Sequence, residues 1–320
     1  MLKQRFRALR WIVGLYLAFC SLIALLLVHI TLHPVRRPLP PDGEAQIQTI
    51  AAQFDAHVDN VEITTTDGTP LRAWHIQRDH SNGNAVILLH GLGDNRLGTV
   101  GYADLFLAHG YDVLMPDARA HGESGGQIAT YGVLERNDIR RWFGWLQVRE
   151  HPQCTYGLAE SMGAAQLLQS LDAEPHFCAV VAESTFSNFR EIAYDRMGQY
   201  FHSGPWVGRI VLRPVIEIAL LYTHWKYHVN LADASPQDSV VHSHVPVLLI
   251  HGQIDSNIPV RHSRLIKLHD PAVTLWEVPG ADHCGAISVA PEEFEKKVIS
   301  WFGEHRNAAL ELRPSEFSAK

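Results

Sequence analysis

The stretch Gly157-Leu158-Ala159-Glu160-Ser161-Met162-Gly163 decides the reading of this chain. Cys154, Thr155 and Tyr156 before it are β-compatible, and Ala164, Ala165, Leu167 and Leu168 after it recur at the spacing of a helix with one buried face. Ser161 therefore falls on a strand-to-helix turn. Ala159 and Gly163, two residues to either side, are small enough to let strand and helix approach closely, holding the serine in the strained, exposed conformation of a nucleophile elbow. The helix opens with unpaired N–H groups, so the Met162 amide is a candidate donor to an oxyanion. Ala159 stands where the pattern Gly-x-Ser-x-Gly has glycine, and the heptapeptide alone does not separate this reading from a tight helix start.

A serine hydroxyl is a poor nucleophile at neutral pH. It needs a histidine base within hydrogen-bond reach and a carboxylate to fix that histidine's tautomer. Working outward from Ser161, the chain offers both after apolar strands. Val245 to Ile250 leads into His251-Gly252-Gln253-Ile254-Asp255-Ser256-Asn257-Ile258-Pro259, and Val273 to Val278 leads into Pro279-Gly280-Ala281-Asp282-His283-Cys284-Gly285. The order is serine, acid, histidine: Ser161, Asp255, His283. Glu183, after the run Phe177 to Ala182, is an alternative acid, and Asp282 reads as a stabiliser of its own loop.

Upstream, Val58 to Thr65 and Leu71 to Ile76 flank Asp67-Gly68 as a hairpin. Ala85 to His90 and Tyr111 to Met115 are short continuous apolar runs, the signature of strands buried on both faces. Helices are predicted at about Val100 to His109 and Val133 to Gln147. Strands alternating with helices imply an α/β fold with a mostly parallel sheet covered on both faces, whose ligands sit beyond the carboxyl ends of the strands.

With these segments in order, the chain resembles the α/β-hydrolase superfamily, in its dienelactone-hydrolase-like, monoglyceride-lipase-like and serine-aminopeptidase-like group. The resemblance runs from about Val58 to Phe302. It rests on the His90-Gly91 loop, the Asp117 to Ser124 segment, the elbow, the His251 to Pro259 segment and the Ala281-Asp282-His283 loop. It implies an α/β-hydrolase fold with a short helical cap, a Ser161–Asp255–His283 triad, and a second oxyanion donor at the Leu92 backbone N–H beside Met162. It also implies that His90 and Gly91 shape the oxyanion loop, and that Asp117, Arg119, His121 and Ser124 order the neighbouring one.

The interval Phe186 to Val241 is too long for a simple crossover and reads as the cap, with Tyr194, Tyr200, Trp206, Ile210, Leu221 and Trp225 among its apolar residues. Ahead of everything, Trp11 to Leu32 carries no Asp, Glu, Lys or Arg. At about 1.5 Å per residue it spans a hydrocarbon core of about 30 Å. Lys3, Arg5, Arg7 and Arg10 precede it while Arg36 and Arg37 follow, which puts the N-terminus in the cytoplasm and the folded domain outside, as in a bacterial inner membrane facing the periplasm. A cleaved signal peptide is the alternative, but the run exceeds the usual apolar length and no clear cleavage site follows. Pro34, Pro38, Pro40 and Pro41 make a stiff linker.

The division is then a cytoplasmic N-terminus at 1–10, a transmembrane helix at 11–32, a linker and lead-in at 33–57, a hydrolase domain at 58–306 with a cap insertion at about 186–241, and a tail at 307–320. With 27 basic and 34 acidic residues the net charge is −7, which disfavours a nucleic-acid partner. Neither His-Glu-x-x-His nor Gly-Lys-Ser/Thr occurs, so no metal and no cofactor is expected. Cys154, Cys178 and Cys284 are read as buried small hydrophobes, with a Cys154–Cys178 bridge as the alternative in an oxidising compartment. The expected function is a membrane-anchored serine hydrolase acting on a small-molecule carboxylic ester, lipid or short acyl. The alternatives are a small-peptide serine peptidase, an acyltransferase and a non-catalytic anchored binding protein.

Overall fold

The structure is a computed structural model and describes residues 2–204 and 206–311. It opens with a long helix, α1 (Leu2–Leu32), then α2 (Gly43–Ala52) and the hairpin β1 (Ala56–Thr64) and β2 (Pro70–Arg78). Next come β3 (Asn84–Leu89), α3 (Val100–Ala108), β4 (Asp112–Pro116), α4 (Glu135–Glu150), β5 (Cys154–Glu160), α5 (Ser161–Ser170) and β6 (Val180–Glu183). The cap holds α6 (Phe189–Tyr200), a π-helical turn at Val207–Val211, α7 (Arg213–Tyr227) and α8 (Pro236–Val241). The chain closes with β7 (Val247–Gly252), α9 (Arg261–His269), β8 (Thr274–Val278), α10 (Ala286–Val289) and α11 (Pro291–Glu311).

The eight strands form one sheet in the order β1-β2-β4-β3-β5-β6-β7-β8, antiparallel at β1–β2–β4 and parallel from β4 through β8. Every residue of β3, β4 and β7 is buried, as their unbroken apolar runs require, whereas edge strand β1 has no buried residue. One face is covered by α2, α3 and α11 through Ile47, Phe106, Phe294 and Phe302, and the other by α4, α5, α8 and α9 through Trp142, Leu167, Val240 and Ile266. This is the α/β-hydrolase architecture anticipated above, and it leaves the parallel strands' carboxyl ends open to the cap.

A third apolar cluster lies outside this sandwich. Cys20, Ala24, Val28 and Leu32 form a fully buried stripe at every fourth residue of α1, packed with Val215, Ile216 and Leu220 of α7 and with Phe186 and Ile192. The two helices run side by side in the same direction. Near one end the Tyr16 hydroxyl donates to the Val211 carbonyl, and at the other the His33 and Tyr227 rings lie 5.9 Å apart. The Tyr131 hydroxyl donates to Thr31 O at 2.8 Å and Ala129 N to Leu32 O at 2.9 Å, so the end of α1 is tied to the body.

Three local details differ from expectation. The segment read as a spacer is pinned: Arg36 donates to the Ser124 and Gly126 carbonyls, and Asn95 donates to the carbonyls of Arg37 and Pro38. β6 starts three residues into the run Phe177 to Ala182, at Val180; just ahead of it Cys178 donates its backbone N–H to Thr155 O at 2.9 Å and forms a disulfide with Cys154, at a Cα–Cα distance of 5.7 Å. The bridge links the starts of adjacent segments, and with the cysteines at a sequence separation of 24 it stabilises the fold by about 3 kcal/mol. The reading of these cysteines as free is thereby replaced by its alternative. Finally, α11 continues to Glu311, five residues into the segment assigned to the tail; residues 312–320 lie outside the described residues.

Candidate active site

β5 ends in extended backbone at Glu160 and α5 begins at Ser161, whose φ of +52° lies in the left-handed region that non-glycine residues avoid. What permits the sharp reversal is Gly163. A Cβ there would sit 2.6 Å from the His90 carbonyl oxygen, so only glycine lets α5 press against the end of β3. Ala159 is fully buried in the ladder between Leu89 and Ala182, where its methyl group has a place in the core.

Asp255 sits in the loop after β7. Its Oδ1 accepts from the amides of Asn257 at 2.9 Å and Ile258 at 2.8 Å, which turns Oδ2 toward His283. The loop after β8 is fastened by Asp282, which accepts from the amides of Ser256 and His283, both at 2.8 Å. Gly252 allows the two loops to meet, since a Cβ at that position would lie 2.3 Å from the Ala281 carbonyl oxygen.

The result is one hydrogen-bonded row. His283 Nδ1 is 2.9 Å from Asp255 Oδ2, and His283 Nε2 is 2.9 Å from Ser161 Oγ. With the Nδ1 proton donated to the carboxylate, Nε2 is left to accept the serine proton. Burial opposes ionisation of Asp255, yet the hydrogen bonds from His251 and His283, the charge on His283 and the Ile258 amide outweigh it and hold the carboxyl below the usual carboxylate range. The strand histidine His251 is fully buried, with Nε2 3.3 Å from Asp255 Oδ2 and Nδ1 2.7 Å from Ser263 Oγ. Sequence reading quoted His251 as part of a motif and gave it no role. Its position at the end of an apolar strand, four residues before the acid, is the signal.

Glu183 does not join this row. Its Oε1 accepts from Ala286 N at 2.9 Å, and its Oε2 is 3.0 Å from the Tyr102 hydroxyl, which also lies 3.3 Å from Glu160 Oε2. A buried carboxyl, Glu183, and a half-buried one, Glu160, thus share one phenol behind the serine. Burial, then the charge of Glu183, pushes Glu160 up to about 7. Neither the phenol nor the pairing was legible, because Tyr102, Glu160 and Glu183 are far apart in sequence.

Met162 follows Ser161 directly, Leu92 lines the same cavity next to Gly91, where an added Cβ would lie 3.5 Å from Ser161 Cβ, and among the described residues neither amide donates to a protein acceptor. The other residues of the family motifs hold loops. His90 Nε2 accepts from Ala118 N at 3.1 Å, Asp117 accepts from Arg96 N at 2.7 Å and Glu123 N at 2.8 Å, and Arg119 makes a two-pronged pair with Asp138 at 2.7 Å. Ser124 Oγ donates to Asp117 O at 2.7 Å, and His121 Nδ1 lies 2.9 Å from Arg119 O. Among the described residues no group of three His, Cys, Asp or Glu side chains is placed to hold a metal ion.

Above the row is a cavity of about 580 Å³, lined by Ser161, His283, Gly91 and Leu92, by Phe186 and Ile192 of the cap region, and by Leu27, Val28, Ile30 and Thr31 of α1. The long N-terminal helix is therefore one wall of the site.

Comparison with known proteins agrees with this architecture. A family profile described as "Serine aminopeptidase, S33" matches residues 80–215. The chain is 30% identical over 254 residues to the uncharacterized protein YqkD of Bacillus subtilis, covering 78% of this chain and 80% of that one. It is 25% identical over 296 residues to the lysophosphatidylserine lipase ABHD12 of Danio rerio, covering 83% of this chain and 72% of the relative. Among solved structures, the Pyrococcus furiosus esterase Pf2001 superposes with a TM-score of 0.65 at 25% identity, over 85% of this chain and 99% of the esterase.

Proposed function

The chain belongs to the α/β-hydrolase superfamily, and on that premise we propose that it is a membrane-anchored serine hydrolase that cleaves carboxylic esters through an acyl-enzyme. The observation that carries the reading is the unbroken row from Asp255 through His283 to the Ser161 hydroxyl, at 2.9 Å per link, on the floor of an apolar cavity. Ser161 Oγ attacks the ester carbonyl as His283 Nε2 takes its proton. The negative charge that forms on the carbonyl oxygen is met by the Leu92 and Met162 amides. Collapse of the tetrahedral adduct expels the alcohol, which takes the proton from His283, and a water activated by the same imidazole then hydrolyses the acyl-serine. Asp255 keeps the Nδ1 proton in place through both halves.

A lipid or short acyl ester is favoured over a peptide because the cavity wall is mostly apolar and includes α1, the helix long and apolar enough to cross a membrane. The relatives named for esterase and lipase activity agree with that choice. The same residues serve peptide cleavage or acyl transfer, and the serine aminopeptidase description of the matching profile is what speaks for a peptidase. Four basic residues ahead of the apolar run and the Cys154–Cys178 bridge support a cytoplasmic N-terminus and a hydrolase domain in an oxidising compartment outside it.

Wild-type protein is expected to take up a fluorophosphonate probe and to hydrolyse a short p-nitrophenyl ester, and Ser161→Ala to do neither while keeping its thermal transition. Turnover that survives in Ser161→Ala rejects the assignment, and a folded wild type that the probe leaves unlabelled favours a non-catalytic binding protein.

A further inference from the structure

The cavity over Ser161 contains one guanidinium, that of Arg196 on α6, set among Ile192, Met197 and Tyr200. Its Nη1 donates to Gln199 Oε1 at 3.1 Å, its one side-chain hydrogen bond among the described residues. No carboxylate lies within 4 Å of it among those residues, whereas the other arginines of the cap are all matched: Arg190 and Arg213 with Glu217, and Arg209 with Glu191. The adjacent Asp195 is already engaged by Arg261 and His262.

An arginine presents five N–H donors in a rigid fork, and Arg196, half-buried in the cavity wall, uses one of them on a side chain. Arg196 is nevertheless held firmly in place. Gln199, its partner, donates through Nε2 to the carbonyls of Ser256 and Asn257, both at 3.1 Å, in the loop that carries Asp255. The guanidinium is thus indexed to the catalytic row. The carboxylates that line the cavity, Asp94 and Glu160, adjoin the Gly91–Leu92 loop, and Asp94 is paired with Arg37 at 3.3 Å.

We propose that Arg196 is an anion-recognition residue of this cavity, and that the substrate is an ester bearing a carboxylate or phosphate group. A neutral ester would leave the remaining donors of the fork without a charged acceptor, and an anionic one supplies a planar or tetrahedral partner that the fork matches. The inference rests on the hydrolase reading above and adds the chemical class of its substrate.

The test compares two matched pairs of esters: p-nitrophenyl hexanoate with the p-nitrophenyl half-ester of adipic acid, and a monoacylglycerol with the corresponding monoacylglycerol phosphate. Wild type is expected to favour the anionic member of at least one pair in kcat/KM by about tenfold or more. Arg196→Gln should reduce that ratio by about ten- to a hundredfold, mainly through KM, the loss of a charge-assisted contact. Arg196→Lys should recover part of it. Should Arg196→Gln not fold, the lysine variant and competitive inhibition of wild type by adipate and glycerol phosphate carry the comparison. A response confined to the adipate pair puts the anion on the acyl side, and one confined to the phosphate pair puts it on the alcohol. Ratios near one in both pairs for wild type, or an equal loss on neutral and anionic members in Arg196→Gln, overturn the inference. Turnover of the neutral ester that does not depend on Ser161 overturns the hydrolase reading instead.

Discussion

Glu160 occupies the position just before the serine, and its carboxyl is the unusual charge of the site. Burial and the neighbouring Glu183 raise it from the ordinary 4.5 to about 7. A carboxyl whose folded value lies above its unfolded one binds more protons folded than unfolded between the two. Its contribution is therefore full below about 4.5 and lost as pH rises to about 7. The loss amounts to about 3 kcal/mol, shared with Glu183 through their common phenol. In Glu160→Gln that falling limb is expected to vanish, so the variant gains stability relative to wild type between pH 5 and pH 7.5 in denaturant titrations. A difference that stays constant over that window would mean that Glu160 ionises normally. At this scale the sequence was most informative where a residue type sits at a strand end. Ser161, Asp255 and His283 each follow an apolar run, and the geometry brings all three together. Arg196 and the Tyr102–Glu160–Glu183 cluster were hidden because their meaning lies in what is, or is not, across the cavity, and no local pattern encodes an absent partner.

Among the elements, α1 was legible in length and illegible in role. From Trp11 to Leu32 there is no charged residue, so the run lacks the polar contrast by which one face of a helix is distinguished from another. Yet Cys20, Ala24, Val28 and Leu32 face protein while Leu22, Leu25 and Leu26 are exposed. The buried stripe includes small residues, which let α1 lie close to α7. Val28→Asp should destabilise detergent-solubilised full-length protein by about 3 kcal/mol, through a polar group forced into an apolar seam. Leu25→Asp, on the open face, should cost far less in the same thermal scans. Equal shifts would mean that the seam is not occupied in the solubilised protein. The cap's existence followed from its length and aromatic content, but not its partner: Val215, Ile216 and Leu220 of α7 are covered by α1 rather than by the hydrolase body alone.

For the whole molecule, the sheet and its two helical layers were readable because buried parallel strands announce themselves as continuous apolar runs, whereas the third cluster joins segments that are nearly two hundred residues apart. That cluster constrains how the protein would sit in a bilayer. Only the part of α1 before Tyr16 extends clear of the cap, and of that part only Trp11 to Leu15 lies in the uncharged run, about 8 Å of helix against a hydrocarbon core of about 30 Å. If α1 spans, the end of the cap near Tyr200, Phe201, Trp206, Ile210 and Val211, all exposed and apolar, enters the outer leaflet beside it. Alkaline carbonate is expected to leave the protein in the membrane pellet. A polarity-sensitive dye at Ile210→Cys should report an apolar setting on reconstitution, and one at Val148→Cys, on the exposed surface of α4, an aqueous one. Release of a shortened soluble form would favour a cleaved signal, and an aqueous signal at 210 would mean that the cap stands off the membrane.

The register between α1 and α7 would also make the protein a gauge of a bilayer that α1 crosses. If α1 spans, it answers a thicker or thinner bilayer by changing its tilt, and its last turns carry Leu27, Val28, Ile30 and Thr31, which are cavity wall. Lipid acyl length would then bear mechanically on the width of the pocket above Ser161, with no ligand and no second site involved.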